Sequence, residues 1–99
     1  MTPNNSLSKL CKALSDPTRL QILDILSCGT LCACKILDNL QISQSTLSHH
    51  MKVLMDCELV IGEKDATWMY YSLDPDKVAF LHKLIDKITL PKDQCICKK

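Results

Sequence analysis

The chain carries almost no net charge and no long apolar run. Its 12 lysines and arginines nearly balance 11 aspartates and glutamates, which leaves a formal charge of +1. A charge this small excludes a general electrostatic attraction to nucleic acid or to an anionic membrane, so such binding must come from a local arrangement of side chains. No apolar stretch approaches the length of a transmembrane helix. The first residues show no basic start followed by an apolar run, so we find no secretory signal and expect a cytoplasmic location.

Cysteine, by contrast, is abundant, with seven in 99 residues. A reducing compartment and an odd number of thiols argue against a disulfide framework, which leaves metal binding, redox sensing or core packing. Four of the seven form two Cys-x-Cys pairs, Cys32 with Cys34 and Cys95 with Cys97. Each pair has the thiols to share one soft ion or to react with an oxidant.

Apolar periodicity predicts five helices and one β-hairpin in a single domain. The helices are expected near residues 7–14, 17–28, 33–40, 43–57 and 75–90, and the strands near residues 59–61 and 67–73. Asp16 and Ser43 are predicted N-caps of the second and fourth helices. This order predicts a mainly α fold with a small β-hairpin, a winged helix-turn-helix, over residues 1–91, followed by a tail at 92–99. Apolar surface left on the outer helices predicts a homodimer.

The fourth predicted helix has a polar face opposite its apolar stripe. That face and the start of the helix carry short or adaptable hydrogen-bonding side chains and one cation: Gln44, Ser45, Thr46, Ser48, His49 and Lys52. An ordinary solvated helix face would also look like this. The position as second helix of a turn motif, followed by a wing, favours DNA contact in a major groove. The neighbouring His50 is predicted to pack laterally.

The spacing of Cys32 and Cys34 constrains how they bind an ion. On an ideal helix they lie about 200° apart, whereas residues i and i+2 of an extended segment point the same way. Sharing one ion therefore predicts that the first turn of the third helix is absent or unwinds. The alternative is that both are small packing residues. Cys11, Cys28 and Cys57 are interpreted as packing residues, with Cys28 a further candidate ligand.

Several segments together resemble one family. Residues 14–20, 31–34, 43–54 and 70–73 are similar to the ArsR/SmtB family of metal-responsive repressors, and most to its arsenical-resistance branch, which carries Cys-x-Cys at this place in the third helix. The resemblance implies a homodimeric winged-helix repressor that leaves double-stranded operator DNA when As(III) or Sb(III) binds, with no organic cofactor. It implies that Cys32 and Cys34 are the metal ligands and that residues 45–52 lie on the recognition helix.

The chain also departs from the family. Leu37 stands where some arsenic repressors have a third cysteine, so a three-thiolate site needs another donor, for which Cys95 and Cys97 are secondary candidates. Lys64 is the one cation in the turn region at residues 63–66 and the candidate wing contact with DNA. On the last helix only His82 and Asp86 have ligand spacing, too few for the zinc-sensing site of the family.

Two other functions compete with metalloid sensing. A thiol-redox repressor would share the DNA-binding part and sense oxidants by disulfide formation. A thiol–disulfide enzyme would need Cys-x-x-Cys on a strand–helix turn and a general base beside it, and the sequence has neither. We therefore expect a protein that is not an enzyme.

Overall fold

The computed structural model describes residues 3–91. The elements in chain order are α1 (Pro3–Ala13), α2 (Pro17–Leu26), β1 (Leu31–Cys32), α3 (Ala33–Asp38), α4 (Gln44–Asp56), β2 (Val60–Asp65), β3 (Trp68–Leu73) and α5 (Pro75–Thr89). The predicted mainly α fold with a small wing is confirmed. No described helix is long and apolar enough to cross a membrane. Cys95 and Cys97 lie outside the described residues.

Three helices begin at side-chain caps. The Asp16 carboxylate accepts hydrogen bonds from the backbone N–H groups of Thr18 (2.7 Å) and Arg19 (3.2 Å), and Pro17 fills the first helical position. Desolvation raises the pKa of Asp16, but these backbone hydrogen bonds and the nearby positive charge together hold that pKa below its ordinary value. The Ser43 hydroxyl accepts from the Thr46 N–H at 3.1 Å, and Asp74 caps α5 in the same way. Both predicted N-caps are confirmed.

The end of α4 turns the chain sharply into the wing. Glu58 adopts the left-handed conformation, with φ of 66°. Its N–H donates to the Met55 carbonyl at 2.9 Å, and the Leu59 N–H donates to the Leu54 carbonyl at 3.1 Å. This pair of bonds is the Schellman arrangement, which satisfies the last carbonyls of the helix. Leu54 and Leu59 are both fully buried, so the turn is also anchored in the core.

The sheet has three antiparallel strands in the order β1-β3-β2, where the sequence predicted a two-stranded hairpin. The added strand is β1, in which Leu31 pairs with Tyr71 and Cys32 pairs with Tyr70. Two residues are too few to show the alternation that marks a strand in sequence, so the sequence does not predict β1. The third helix begins at Ala33, where the sequence predicts it.

The core lies between the helices and the inner face of the sheet. Ile22, Ile36, Met51 and Leu54 are completely buried, which confirms the predicted stripe of α4 and fixes α2, α3 and α4 around one centre. The remaining core members share the same cluster: Leu7, Leu10, Ala13, Leu26, Leu47, Cys57, Leu59, Val60, Tyr71, Leu81 and Leu84.

The predicted roles of the unpaired cysteines are confirmed for one of three. Cys57 is buried, and its thiol donates to the Leu54 carbonyl at 3.3 Å. Cys11 and Cys28 are exposed, so their interpretation as packing residues is wrong. The buried stripe of α1 runs through Leu7, Leu10 and Ala13, which places Cys11 beside that stripe. Cys28 lies beyond the last residue of α2, in the turn before β1.

Gly62 allows the sheet to approach α4 closely. A Cβ atom added there would lie 2.7 Å from the Met55 sulfur and 2.7 Å from the Met69 methyl carbon. A real Cβ atom cannot approach other atoms this closely, so only glycine fits at this position. The backbone of β2 therefore packs against the Met55 side chain of α4 with no side chain of its own between them.

Ala66, in the turn between β2 and β3, has a left-handed backbone conformation that suits glycine better than alanine. Asp65 and Trp68 form the last pair of the hairpin, and Ala66 between them has φ of 57°. The left-handed conformation costs a residue with a Cβ about 1–2 kcal/mol, whereas glycine adopts it freely. Part of any gain from glycine is lost to its greater freedom in the unfolded chain.

We expect Ala66→Gly to raise the free energy of unfolding by about 0.5–1 kcal/mol, measured by urea denaturation. The matched control is Ala79→Gly at an exposed position inside α5, which should lower the same quantity by about 0.5–1 kcal/mol. A loss of stability in the Ala66 variant would contradict the left-handed backbone of the turn.

Candidate inducer and DNA-binding sites

Cys32 and Cys34 flank the beginning of α3. Cys32 is the last residue of β1 and the N-cap of α3, with extended backbone at φ −75° and ψ 157°. Cys34 is the second residue of the helix. The Cα atoms are 5.4 Å apart, and the two sulfur atoms are joined as a disulfide. The sulfurs therefore meet although α3 is intact from Ala33 onward.

This geometry partly corrects the prediction made from helical spacing. Strand pairing with Tyr70 keeps Cys32 extended, so only Cys34 of the pair is helical and the spacing of an ideal helix does not apply to them. That a shared ion requires the first turn of the third helix to be absent or to unwind stays a prediction, while the sulfurs themselves meet with α3 intact from Ala33 onward. One extended residue followed by one helical residue suffices to direct both sulfurs to one place.

The pair is open to solvent, while the helix behind it is anchored. Cys34 is exposed and Cys32 is half-buried, so small solutes reach the sulfurs. Ile36, two residues further on, is completely buried, and Leu37 packs against the core from a half-buried position. Leu37 thus occupies its place as a packing residue and offers no ligand atom.

A third ligand is not supplied by the part of the chain that the structure describes. Among residues 3–91 no three histidine, cysteine or acidic side chains are grouped so that they could hold one metal ion. Cys28, the candidate from this range, is exposed and belongs to no such group. His82 and Asp86 are both exposed on α5.

The outward face of α4 carries the predicted DNA contacts together. The six predicted residues are all exposed: Gln44, Ser45, Thr46, Ser48, His49 and Lys52. At the helix start the hydroxyls form a small network, in which Ser43 Oγ donates to Thr46 Oγ1 at 2.9 Å and lies 3.1 Å from Ser45 Oγ. Lys52 Nζ lies 3.9 Å from an Asp56 oxygen, with both side chains mostly exposed. Ion pairs of this kind contribute little free energy, so Lys52 can exchange this partner for a phosphate.

Arg19 holds the other side of α4, and sequence reasoning assigned it no role. Its Nε donates to the Ala13 carbonyl at 2.6 Å, and its Nη2 donates to the Lys12 carbonyl at 3.4 Å. Its Nη1 lies 3.2 Å from Nδ1 of the buried His50. Because a guanidinium only donates, the histidine nitrogen must accept, which requires His50 Nδ1 to be unprotonated. The predicted lateral packing of His50 is confirmed.

The connection from the cysteines to α4 runs through the sheet. The extensive contacts of α3 are with β1 and β3. The strand β1 pairs with β3, β3 pairs with β2, and β2 packs against α4. Displacement of Cys32 would therefore reach α4 through the paired strands as well as through the turn at residues 39–43.

The wing presents acidic and aromatic groups beside Lys64. By register, Glu63, Asp65, Trp68 and Tyr70 share the outer face of the sheet. Trp68 is 55% exposed, an unusual position for a tryptophan and one that sequence reasoning did not single out. Lys64 is exposed as well. In the same register Lys64 pairs with Met69 on the opposite face, so β2 and β3 carry one cation on that face and two carboxylates on the other, and the net electrostatic attraction of the wing to phosphate is weak.

Comparison with known proteins gives consistent matches. Residues 16–61 match the family described as "Bacterial regulatory protein, arsR family". The arsenical resistance operon repressor of Staphylococcus xylosus is 48% identical over 92 residues, which cover 93% of this chain and 88% of that protein. The protein of the same name from Staphylococcus aureus is 47% identical with the same coverage. A solved structure described as a possible transcriptional regulator for arsenical resistance matches with a TM-score of 0.73 and 30% identity, over 81% of this chain and 83% of that chain.

Identity at this level over nearly the whole of both chains decides the family. The fold, the exposed face of α4 and the matched sequence agree. The chain belongs to the arsR family of bacterial regulatory proteins and is a transcriptional repressor of that family.

Proposed function

We propose that this repressor binds operator DNA through α4 and releases it when As(III) or Sb(III) binds the thiolates of Cys32 and Cys34. The observation that carries the proposal is the meeting of the two sulfurs at the junction of β1 and α3. The relatives named arsenical resistance operon repressors support an arsenical as inducer. Binding requires reduced thiols, and the cytoplasm keeps thiols reduced. We therefore propose a cytoplasmic location as well.

Soft-ion chemistry accounts for the choice of ligand atoms. Thiolates prefer thiophilic ions over magnesium or calcium, and an As(III) centre exchanges its hydroxyls for sulfur with release of water. Two sulfurs satisfy two of its three bonds. The third bond is assigned to a retained hydroxyl or to a thiol of the tail, for which Cys95 and Cys97 are the secondary candidates.

Release of DNA follows if the bound ion and the operator favour different backbones. An arsenic atom bonded to both sulfurs fixes their separation and the angle between their bonds, which two free thiols leave variable. This constraint changes the position of Cys32 relative to Cys34, and the strand pairing at Tyr70 transmits the displacement to β3. By linkage, the operator weakens arsenic binding by the same factor by which arsenic weakens operator binding.

The site is tested by replacing one of its two sulfurs. We expect Cys34→Ser to retain DNA affinity, since Cys34 lies away from the exposed face of α4, and to need at least tenfold more arsenite for release from DNA. Fluorescence anisotropy of a duplex selected from a random library with the reduced protein measures both quantities. Cys11→Ser, at another exposed cysteine, is the control that should release as the unaltered protein does.

The assignment to Cys32 and Cys34 would be overturned by a normal arsenite response of Cys34→Ser. If only the double variant Cys95→Ser/Cys97→Ser loses the response, the sensing site moves to the tail while the proposed function stands.

DNA recognition is assigned to the six exposed residues of α4 and to Lys64. The hydroxyls and His49 supply hydrogen bonds to phosphates and base edges, and Lys52 supplies the cation on this face. Because the whole chain carries a charge of only +1, each cation on the DNA-facing side contributes a large share of the electrostatic attraction. His50 and Arg19 fix the angle at which this face is presented.

We expect Lys52→Gln to weaken binding to all duplexes about equally and to reduce the slope of log K against log salt by about 1, as for loss of one phosphate contact. Lys83→Gln on α5 is the matched control and should leave the slope unchanged. Titrations at four or more salt concentrations give the slopes. An unchanged slope for Lys52→Gln would remove this residue from the DNA contact.

A homodimer is the proposed assembly, with residues 1–91 as the DNA-binding and dimerisation domain and residues 92–99 as a tail. The helices α1 and α5 pack together at one side of the described chain. Large apolar side chains stand exposed along α5 and just beyond it: Phe80, Ile85, Ile88 and Leu90. A contiguous apolar face of this kind marks an interface, and a symmetric dimer covers it on both copies.

We expect Ile88→Asp to convert the protein from two chains to one in sedimentation equilibrium, because it introduces a charge into the apolar face. Leu20→Asp places the same change at a leucine that is 49% exposed on α2 and should leave the assembly unaltered. Dimeric Ile88→Asp at micromolar concentration would exclude this face of α5 as the interface.

A further inference from the structure

The sulfurs of Cys32 and Cys34 meet without disturbing the DNA-binding part of the fold. Their disulfide coexists with the pairing of Leu31 and Cys32 to β3 and with an intact α3 from Ala33 to Asp38. Ile36 stays completely buried, and α4 keeps its cap at Ser43. The closed ring is therefore compatible with the intact elements that present α4.

The distances and exposure fit a bond that forms and reopens. The Cα separation of 5.4 Å lies within the range of ordinary disulfides. Cys34 is exposed and Cys32 half-buried, so both oxidant and reductant can reach the sulfurs. The reaction with hydrogen peroxide balances: two thiols lose two hydrogens and two electrons, one sulfur–sulfur bond forms, and one peroxide becomes two waters.

We propose that oxidation of Cys32 and Cys34 to this disulfide makes the repressor insensitive to its inducer while leaving it bound to DNA. The proposal rests on the proposed function, since it concerns the regulation of the same site. Arsenic needs two thiols to displace two of its hydroxyls as water, and a disulfide has none to offer. Oxidant and arsenical thus compete for one pair of sulfurs.

This outcome is opposite in sign to that of a redox-sensing repressor. In such a protein the disulfide is itself the signal and releases the operator. Here the disulfide form retains β1, α3 and the capped α4 together, which is the arrangement expected of the DNA-bound state. Peroxide therefore suppresses the response to arsenite instead of imitating it.

The test uses the full-length protein in its reduced form and after peroxide treatment, with catalase added to remove the excess. The same selected duplex serves as the anisotropy probe. Oxidised protein is expected to bind it within about twofold of the reduced protein and to require at least tenfold more arsenite for release. A phosphine reductant should restore the response. The Cys95→Ser/Cys97→Ser variant, run in parallel, should show the same loss and recovery.

A second measurement does not depend on DNA. Trypsin cleaves after Arg19 and Lys35, so one fragment carries both cysteines, and the Cys28→Ser variant leaves them as its only thiols. Peroxide should lower the mass of this fragment by two hydrogens. Arsenite added before peroxide should slow that loss at least fivefold, because the sulfurs are already engaged.

Release of the duplex by oxidised protein overturns the proposal in favour of redox sensing. An unchanged arsenite response after the mass loss, or a mass loss that arsenite does not slow, overturns it as well. The reduced arm keeps the two proposals apart: if reduced protein fails to release DNA with arsenite, the proposed function fails, while the mass measurement still decides whether arsenite and oxidation compete for these sulfurs.

Discussion

The pairing of Leu31 and Cys32 with Tyr71 and Tyr70 is the constraint on which the candidate site depends. It holds Cys32 extended up to the residue where α3 begins, and this abrupt change of backbone directs two side chains of opposite helical phase to one point. The same pairing makes Cys32 part of the sheet that packs on α4. The geometry of the proposed sensor and its connection to the proposed DNA-binding helix thus have a common origin in two residues of strand.

The features that the sequence predicts are those that depend on interactions between residues close together in the chain. The helices, the caps at Asp16 and Ser43 and the buried face of α4 depend on neighbours within a few residues, and all were predicted. The strand β1 depends on a partner about forty residues later, and Arg19 depends on His50, so neither left a local pattern. The exposed face of α4 was found because its polar residues recur with the helical period. A third ligand for the proposed arsenical could not be found because position 37 is a leucine and Cys28 is the one other cysteine close to the pair in sequence.

Helix α4 is divided between two tasks that its two histidines illustrate. His50 points inward, is buried and accepts a hydrogen bond from Arg19, so it ties α4 to the end of α1 and the start of α2. His49 is exposed and belongs to the face that we propose contacts DNA. Because the inner face of α4 is held rigidly, the side chains on its outer face are already at a fixed angle and lose less entropy on binding. This compensates for the small charge of the outer face in the proposed binding to DNA. The acidic wing adds to this requirement, since Glu63 and Asp65 offset much of the attraction that Lys64 provides.

The sulfurs of Cys32 and Cys34 have three chemical states in these proposals: free thiols, a disulfide and a pair bridged by arsenic. The states differ in the separation of the two sulfurs. In the thiol state the pair is free to react, and in the disulfide state the sulfurs are held together with the fold complete. Under the proposed function, a bridging arsenic atom sets the separation of the two sulfurs through its own bonds, at a distance longer than that of a disulfide, and this displaces β1 relative to α3. An arsenical and an oxidant then impose different geometries although both consume the same two thiols. The single residue between Cys32 and Cys34 matters for this reason: with one cysteine on the strand and the other on the helix, a constraint on the two sulfurs acts on the junction between the two elements.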